Sequence, residues 1–430
     1  MGIPLDTKRR RRSYANYKPG RERRRPSNDP LRILIYLIII GGSGWVLFNQ
    51  ETITPEIQQR VDNVSNTVRP TPRPTADPTE VAIQAEEAYN SGNLQRAVEL
   101  YGEAADIDPS NVEFHFQQAR LLIFMSAMEY DPAERERLLE DAFQAANDAK
   151  FADATRPEGY AILGKAYDWA GDPERAITEI NRAIDLDEEY ALSYAYLAEA
   201  YVELDRWDQA LETIETAISL DPDDPDIRRD FGWIYENFGD WFNASIQYEL
   251  AIEGAPSLAY LRVALARTYR QEGRYNEALD QLFEAQELNP QNPVIAFQIG
   301  LTYESFIGNQ ESAIEAYQSA TELDPNYGTP WFRLGEISYY RLDWPNAIEA
   351  HSQALELGVD SVNIPWQLGI SFVNEGRCSE ALPFLRQTIG EIDAFAEASR
   401  QAIVEQVNLA LETCEQPTVV PPTPIPAPDN

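Results

Sequence analysis

The sequence is poor in the residues that most often carry chemistry. Its 430 positions hold 2 histidines, 2 cysteines and 3 methionines. Neither histidine, His115 or His351, has a Cys or Asp-His companion at ligand spacing, so no zinc site is expected. Glycine-rich phosphate loops, a nucleophile elbow, an HExxH helix and a calcium loop are all missing. The acidic run at 221–226, DPDDPD, lacks the loop glycine and distal glutamate of a calcium site, and reads as a turn with helix-capping aspartates. No enzyme activity and no cofactor is expected. Positive charge is scarce too: 35 Lys+Arg face 71 Asp+Glu, a formal net charge of −36. That average hides a split. Residues 1–32 carry 11 basic and 3 acidic side chains, a net +8, which leaves −44 for the remainder. An acidic body repels nucleic acid and anionic lipid.

Long apolar runs are equally rare, with one exception. Residues 33–48 contain no charge, and 16 helical residues span roughly 24 Å against a hydrocarbon core of about 30 Å. Leu31 and a snorkelling Arg32 lengthen the segment, and Trp45 suits an interface. The sequence thus predicts a transmembrane helix over 31–48, preceded by a basic disordered arm over 1–30. Positive charge stays cytoplasmic, so the arm would lie inside, against anionic lipid, and the rest of the chain outside the cytoplasm at the cell membrane. Small residues at Gly42 and Gly44 leave a second reading, a signal peptide cleaved near Gly44. Residues 49–77 are rich in proline and threonine and read as a stalk. Residues 416–430 form a second proline-rich segment, either a loose tail or a polyproline ligand.

Between these ends the same residues return every 34 positions. Tyr167, Tyr201, Tyr235 and Tyr269 follow the period, as do Gly164, Ala198, Gly232 and Ala266 three residues before them. Ala176, Ala210, Ala244 and Ala278 recur nine residues after the tyrosines, and Ala183, Ala217, Ala251 and Ala285 seven later. Within 157–190, Tyr160, Leu163, Gly164 and Tyr167 share one helical face, AGDPE breaks the pattern, and Ala176, Ile177, Ile180 and Ala183 form a second face. A two-helix unit this short must stack on neighbours to bury its faces.

The pattern resembles the tetratricopeptide repeat family, in which a large residue, Leu-Gly or Leu-Ala and Tyr mark the first helix, and Ala, a large residue and Ala mark the second. YLAEAY with QALETIETAISLDP (196–222) is the fullest match, and WFRLGEISYY with NAIEAHSQAL (331–356) carries most of it. The resemblance covers about 78–395 and implies an all-α fold, a right-handed α-solenoid of about nine helix-turn-helix units. The unit at 112–156 is irregular, with roughly ten extra residues by the period, read either as longer helices or loop or as a lateral docking element. The unit at 293 carries one extra residue in FIGNQESA. A capping helix is expected over 393–415.

The family further implies a concave groove lined by the first helix of each unit. The exposed positions expected there include Lys165, Glu199, Arg229, Trp233, Arg267, Arg270, Phe297, Phe332, Tyr339 and Trp366. Arginine forks and aromatic faces are the usual anchors of a bound peptide; the opposing reading pairs these arginines with nearby Glu236 and Glu272 and packs the aromatics between units. The Lys/Asn carboxylate clamp of chaperone-binding members is not matched. His351 falls at the large core position occupied by Tyr248 and Tyr317 elsewhere. Cys378 opens the second helix of the last unit and Cys414 ends the capping helix, towards one end of an antiparallel pair, so a disulfide is expected in an oxidising compartment. The function expected is a membrane-anchored scaffold that binds a protein or peptide partner in the groove. The alternatives are a transmembrane signalling subunit that uses the basic arm, or a secreted chaperone-like binder if the chain is cleaved near Gly44.

Overall fold

The computed structural model describes residues 77–414, all helix and turn. The basic arm, the apolar segment 31–48, nearly all of the stalk and the segment 416–430 lie outside the described residues. Among the described helices none is long and apolar enough to cross a membrane.

Nine hairpins and a final helix follow one another. They are α1 (Pro78–Asn90) with α2 (Leu94–Ile107), α3 (Val112–Met128) with α4 (Pro132–Ala152), α5 (Pro157–Trp169) with α6 (Pro173–Leu186), and α7 (Ala191–Glu203) with α8 (Trp207–Leu220). Next come α9 (Pro225–Phe238) with α10 (Trp241–Gly254), α11 (Ala259–Glu272) with α12 (Tyr275–Leu288), and α13 (Pro293–Thr302) with α14 (Gln310–Leu323). The series closes with α15 (Gly328–Tyr340) and α16 (Trp344–Glu356), α17 (Asn363–Asn374) and α18 (Cys378–Gly390), and the lone α19 (Glu397–Thr413).

Local chemistry sets these boundaries. Proline stands in the first turn of α1, α5, α6, α9 and α13, where a missing N–H costs nothing. Asp77, Asn93, Asp172, Asp224, Asp240 and Asn292 accept hydrogen bonds from the first-turn amides that follow them. The turn inside every hairpin but the second contains a left-handed residue. Glycine supplies it at Gly92, Gly171, Gly239, Gly273, Gly308 and Gly376, whereas Asp205 (φ 58°) and Leu342 (φ 62°) adopt it with a side chain.

Within each hairpin a small residue of the first helix receives a large one of the second. A β-carbon on Gly164 would lie 2.4 Å from Ile180, one on Gly300 2.6 Å from Tyr317, one on Gly369 2.6 Å from Leu385. His351 fills the same role against Gly335 and is fully buried, at the core position expected of it. The extra residue of the seventh unit is absorbed by a π turn over Tyr303–Ile307, the usual outcome of a one-residue insertion in a helix. The irregular second unit becomes longer helices, 17 residues in α3 and 21 in α4. The cap begins later than the expected 393, at Glu397 after a 3₁₀ turn (Ile392–Ala394). It covers the last hairpin with Ile403, Val404, Val407, Ala410 and Leu411. Cys378 and Cys414 are bonded, with Cα atoms 5.7 Å apart.

Candidate interaction surface

The first helices line the inner wall, and the wall meets itself. Arg120 of α3 is paired with Asp226 of α9, two residues 106 positions apart. The ring of Phe124, one turn further along α3, lies 5.9 Å from that of Tyr260 on α11, and the Arg229 guanidinium stacks over Phe124 at 4.2 Å. The Ser257 hydroxyl donates to the Asn90 carbonyl oxygen, joining the first unit to the linker between the fifth and sixth. The loop of the irregular unit adds a strut: Tyr130 stacks on Tyr327 at 4.0 Å and its hydroxyl donates to Asp324. The extra length of the second unit is thereby used within the chain.

Most of the side chains expected to face a guest peptide have partners in this wall. Lys165 is fully buried; its Nζ lies 2.7 Å from Glu199 and 3.4 Å from Asp230, with the ring of Tyr196 4.1 Å away. Arg229 pairs with Asp230 and Glu199. Arg270 donates to Thr302 at 3.0 Å and Gln298 at 2.9 Å; burial, and after it Arg267, bring its pKa down to about 10. Phe297 is buried between Tyr317 and Tyr327. Tyr339 and Trp366 are buried against each other, and the Tyr339 hydroxyl donates to Gln406 of the cap at 3.1 Å. The expectation of exposed anchors is therefore corrected for these six residues, and for Glu199, which is buried beside Lys165. Trp233 and Phe332 are half-buried, and Arg267 pairs with Glu236 while keeping 42% of its side chain exposed.

Burying so much charge is tolerable because it is matched. Lys165 and Arg229 face Glu199 and Asp230, and Arg120 faces Asp226. Lys165 and Arg229 help to hold the Glu199 pKa below its ordinary value despite burial. Asp168, buried beside Glu199 and Glu203, is driven the other way, well above the carboxylate range. Sequence reasoning missed Arg120, Phe124, Asp226 and Tyr260. Opposite charges at inward positions of units far apart in sequence were the available signal.

A stack of helix hairpins whose apolar faces pack unit on unit, closed by an end cap, is an α-solenoid. Residues 170–229, 261–294 and 295–327 each match a model of the tetratricopeptide repeat, and the chain belongs to that family. Its curated relatives include the human Protein O-mannosyl-transferase TMTC1, 31% identical over 203 residues, 46% of this chain and 23% of that one. The mouse Superkiller complex protein 3 is 26% identical over 260 residues, 59% of this chain and 15% of that one. The Bacillus subtilis TPR repeat-containing protein YpiA is 23% identical over 368 residues, 79% of this chain and 85% of that one. The chain thus spans less than a quarter of the length of the first two. Among solved structures, the human IFIT1 dimer with PPP-AAAA superposes with a TM-score of 0.52 at 16% identity over 84% of each chain, a likeness of fold alone. Helical repeats of this kind present extended surfaces that serve as scaffolds for protein–protein interaction.

Proposed function

We propose that the chain is a membrane-anchored scaffold whose repeats bind a protein partner outside the cytoplasm. Residues 31–48 form the anchor, the basic arm over 1–30 rests on the anionic inner leaflet, and residues 49–77 lift the repeats off the surface. The observation that carries this reading is the bond between Cys378 and Cys414. Such bonds persist in oxidising compartments and are rare in the cytosol, the same side that the charge split assigns to the repeats. The scaffold needs no cofactor, and its acidic body disfavours nucleic acid.

The inner wall between the second unit and the fifth and sixth is occupied by the chain's own Arg120 and Phe124. A peptide binding there would have to displace a buried ion pair, so a partner is expected on the outer faces and hairpin edges. The test is external proteolysis of intact cells combined with thiol labelling. The proposal expects degradation of the repeats, survival of a fragment containing residues 1–48, and labelling of the cysteines only after reduction. Protection of the repeats, or cysteines that label without reduction, would overturn it; a mature N-terminus just after Gly44 would replace the anchor with a cleaved signal.

A further inference from the structure

In a stack of hairpins, all the turns inside the units lie along one edge. Here that edge carries exposed apolar side chains at the fifth and eighth units. Phe238 is 51% exposed, Phe242 64%, Tyr340 66% and Leu342 66%. Half-buried aromatics tie neighbouring rungs together: Trp207 meets Phe238 at 5.5 Å, and Tyr275 meets Phe306 at 5.5 Å. The rung of the eighth unit is the most unusual. Leu342 stands at the left-handed turn position that six other units give to glycine, with φ at 62°. A β-carbon there is disfavoured, and the exposed side chain recovers little of that cost by packing within the fold. Strain kept at an exposed apolar residue is the kind of outlier that marks a contact site.

The chain supplies an occupant at this place. Cys414 is fixed by its bond to Cys378, the first residue of α18, and so sits on the same edge one unit beyond Tyr340 and Leu342. The segment that continues from it, 415–430, contains Pro417, Pro421, Pro422, Pro424, Pro426 and Pro428, with Val419, Val420 and Ile425 among them. Proline-rich segments bind aromatic-lined surfaces at low entropic cost, because their extended helix is already formed. At about 3.1 Å per residue, 16 residues would reach roughly 50 Å. Packed helices lie about 8–10 Å apart, so the neighbouring rung is well within range.

We propose that the hairpin-turn edge at Tyr340, Leu342 and Trp344 is the docking site of the chain's own proline-rich segment 415–430, presented there by the Cys378–Cys414 bond. This does not depend on membrane anchoring. The test uses the full chain with a photoreactive residue in place of Ile425, irradiated as a mixture of isotopically light and heavy copies. Cross-links within one copy to the peptide containing 339–344 are expected, with the yield falling several-fold in Tyr340→Ser/Leu342→Ser. Both positions are exposed, so this variant keeps its fold. Leu342→Gly separates docking from backbone strain: its melting temperature is expected to rise while its cross-link yield falls. Cross-links between light and heavy copies would assign the edge to a second copy and overturn the proposal. So would cross-links mapping elsewhere, an absence of cross-links, or a yield unchanged by Leu342→Gly.

Discussion

Replacing His351 by tyrosine is expected to make the eighth unit resistant to mild acid. His351 is fully buried against Gly335, and burial lowers its pKa from 6.5 to about 4, with Gln367 opposing in part. As pH falls through 6.5 the unfolded chain takes up a proton that the folded chain refuses until about pH 4. Stability is therefore fully present above pH 6.5 and declines below it, because the unfolded state binds more protons. At about 1.4 kcal/mol per pH unit, the loss is about 2 kcal/mol by pH 5 and about 3 kcal/mol by pH 4. Tyrosine suits the position: Tyr248 and Tyr317 occupy its equivalents against Gly232 and Gly300. Its extra volume carries a cost that does not vary with pH, and its phenol does not titrate in this range. Urea titrations followed by tryptophan fluorescence at pH 7, 6 and 5 isolate the effect. The gap between His351→Tyr and the parent should widen in favour of the variant by about 2 kcal/mol. Parallel pH dependences would refute the assignment of an uncharged, buried imidazole.

Three further outcomes are expected. Lys165→Met leaves Glu199 and Asp230 short of one positive charge and should destabilise the fold by about 3–5 kcal/mol; adding Asp230→Asn should restore a substantial part, read as coupling in a double-mutant cycle. Tyr130→Ala removes the strut to Tyr327 and Asp324; hydrogen exchange should quicken around 129–131 and 324–327 while the distant cap is unaffected. Reducing the Cys378–Cys414 bond opens a loop with a sequence separation of 36, worth about 4 kcal/mol on the chain-entropy model. Its effect should be confined to amide protection in α17–α19.

The period of 34 made the hairpins legible, because the small and large positions that recur are the ones that interlock: Gly164 with Ile180, Gly335 with His351. The cysteines were legible for a related reason, since antiparallel packing brings the start of one helix near the end of the next. The inner wall was not. Periodicity identifies which face of a helix points inward, but the pitch of the superhelix comes from small rotations accumulated over many interfaces. Whether Arg229 meets a guest or Phe124 depends on that sum. The irregular second unit hid the answer further. Its inward residues, Arg120 and Phe124, lay outside the repeat register used to find the groove, yet they are what the later units close upon. The extra residue near Gly308 was visible as a count, but its resolution as a π turn was not.

Closure of the wall on itself is what removes the channel from the candidate partner surfaces, and a distance measurement tests it directly. Spin labels placed by Asn90→Cys and Ser257→Cys, with Cys378 and Cys414 left bonded, would sit on the first unit and on the linker between the fifth and sixth, where Ser257 reaches the Asn90 carbonyl. Pulsed electron paramagnetic resonance on the full chain should return a single short, narrow distance. A long or broad distribution would mean that the solenoid is open, and would return the inner face to the partner.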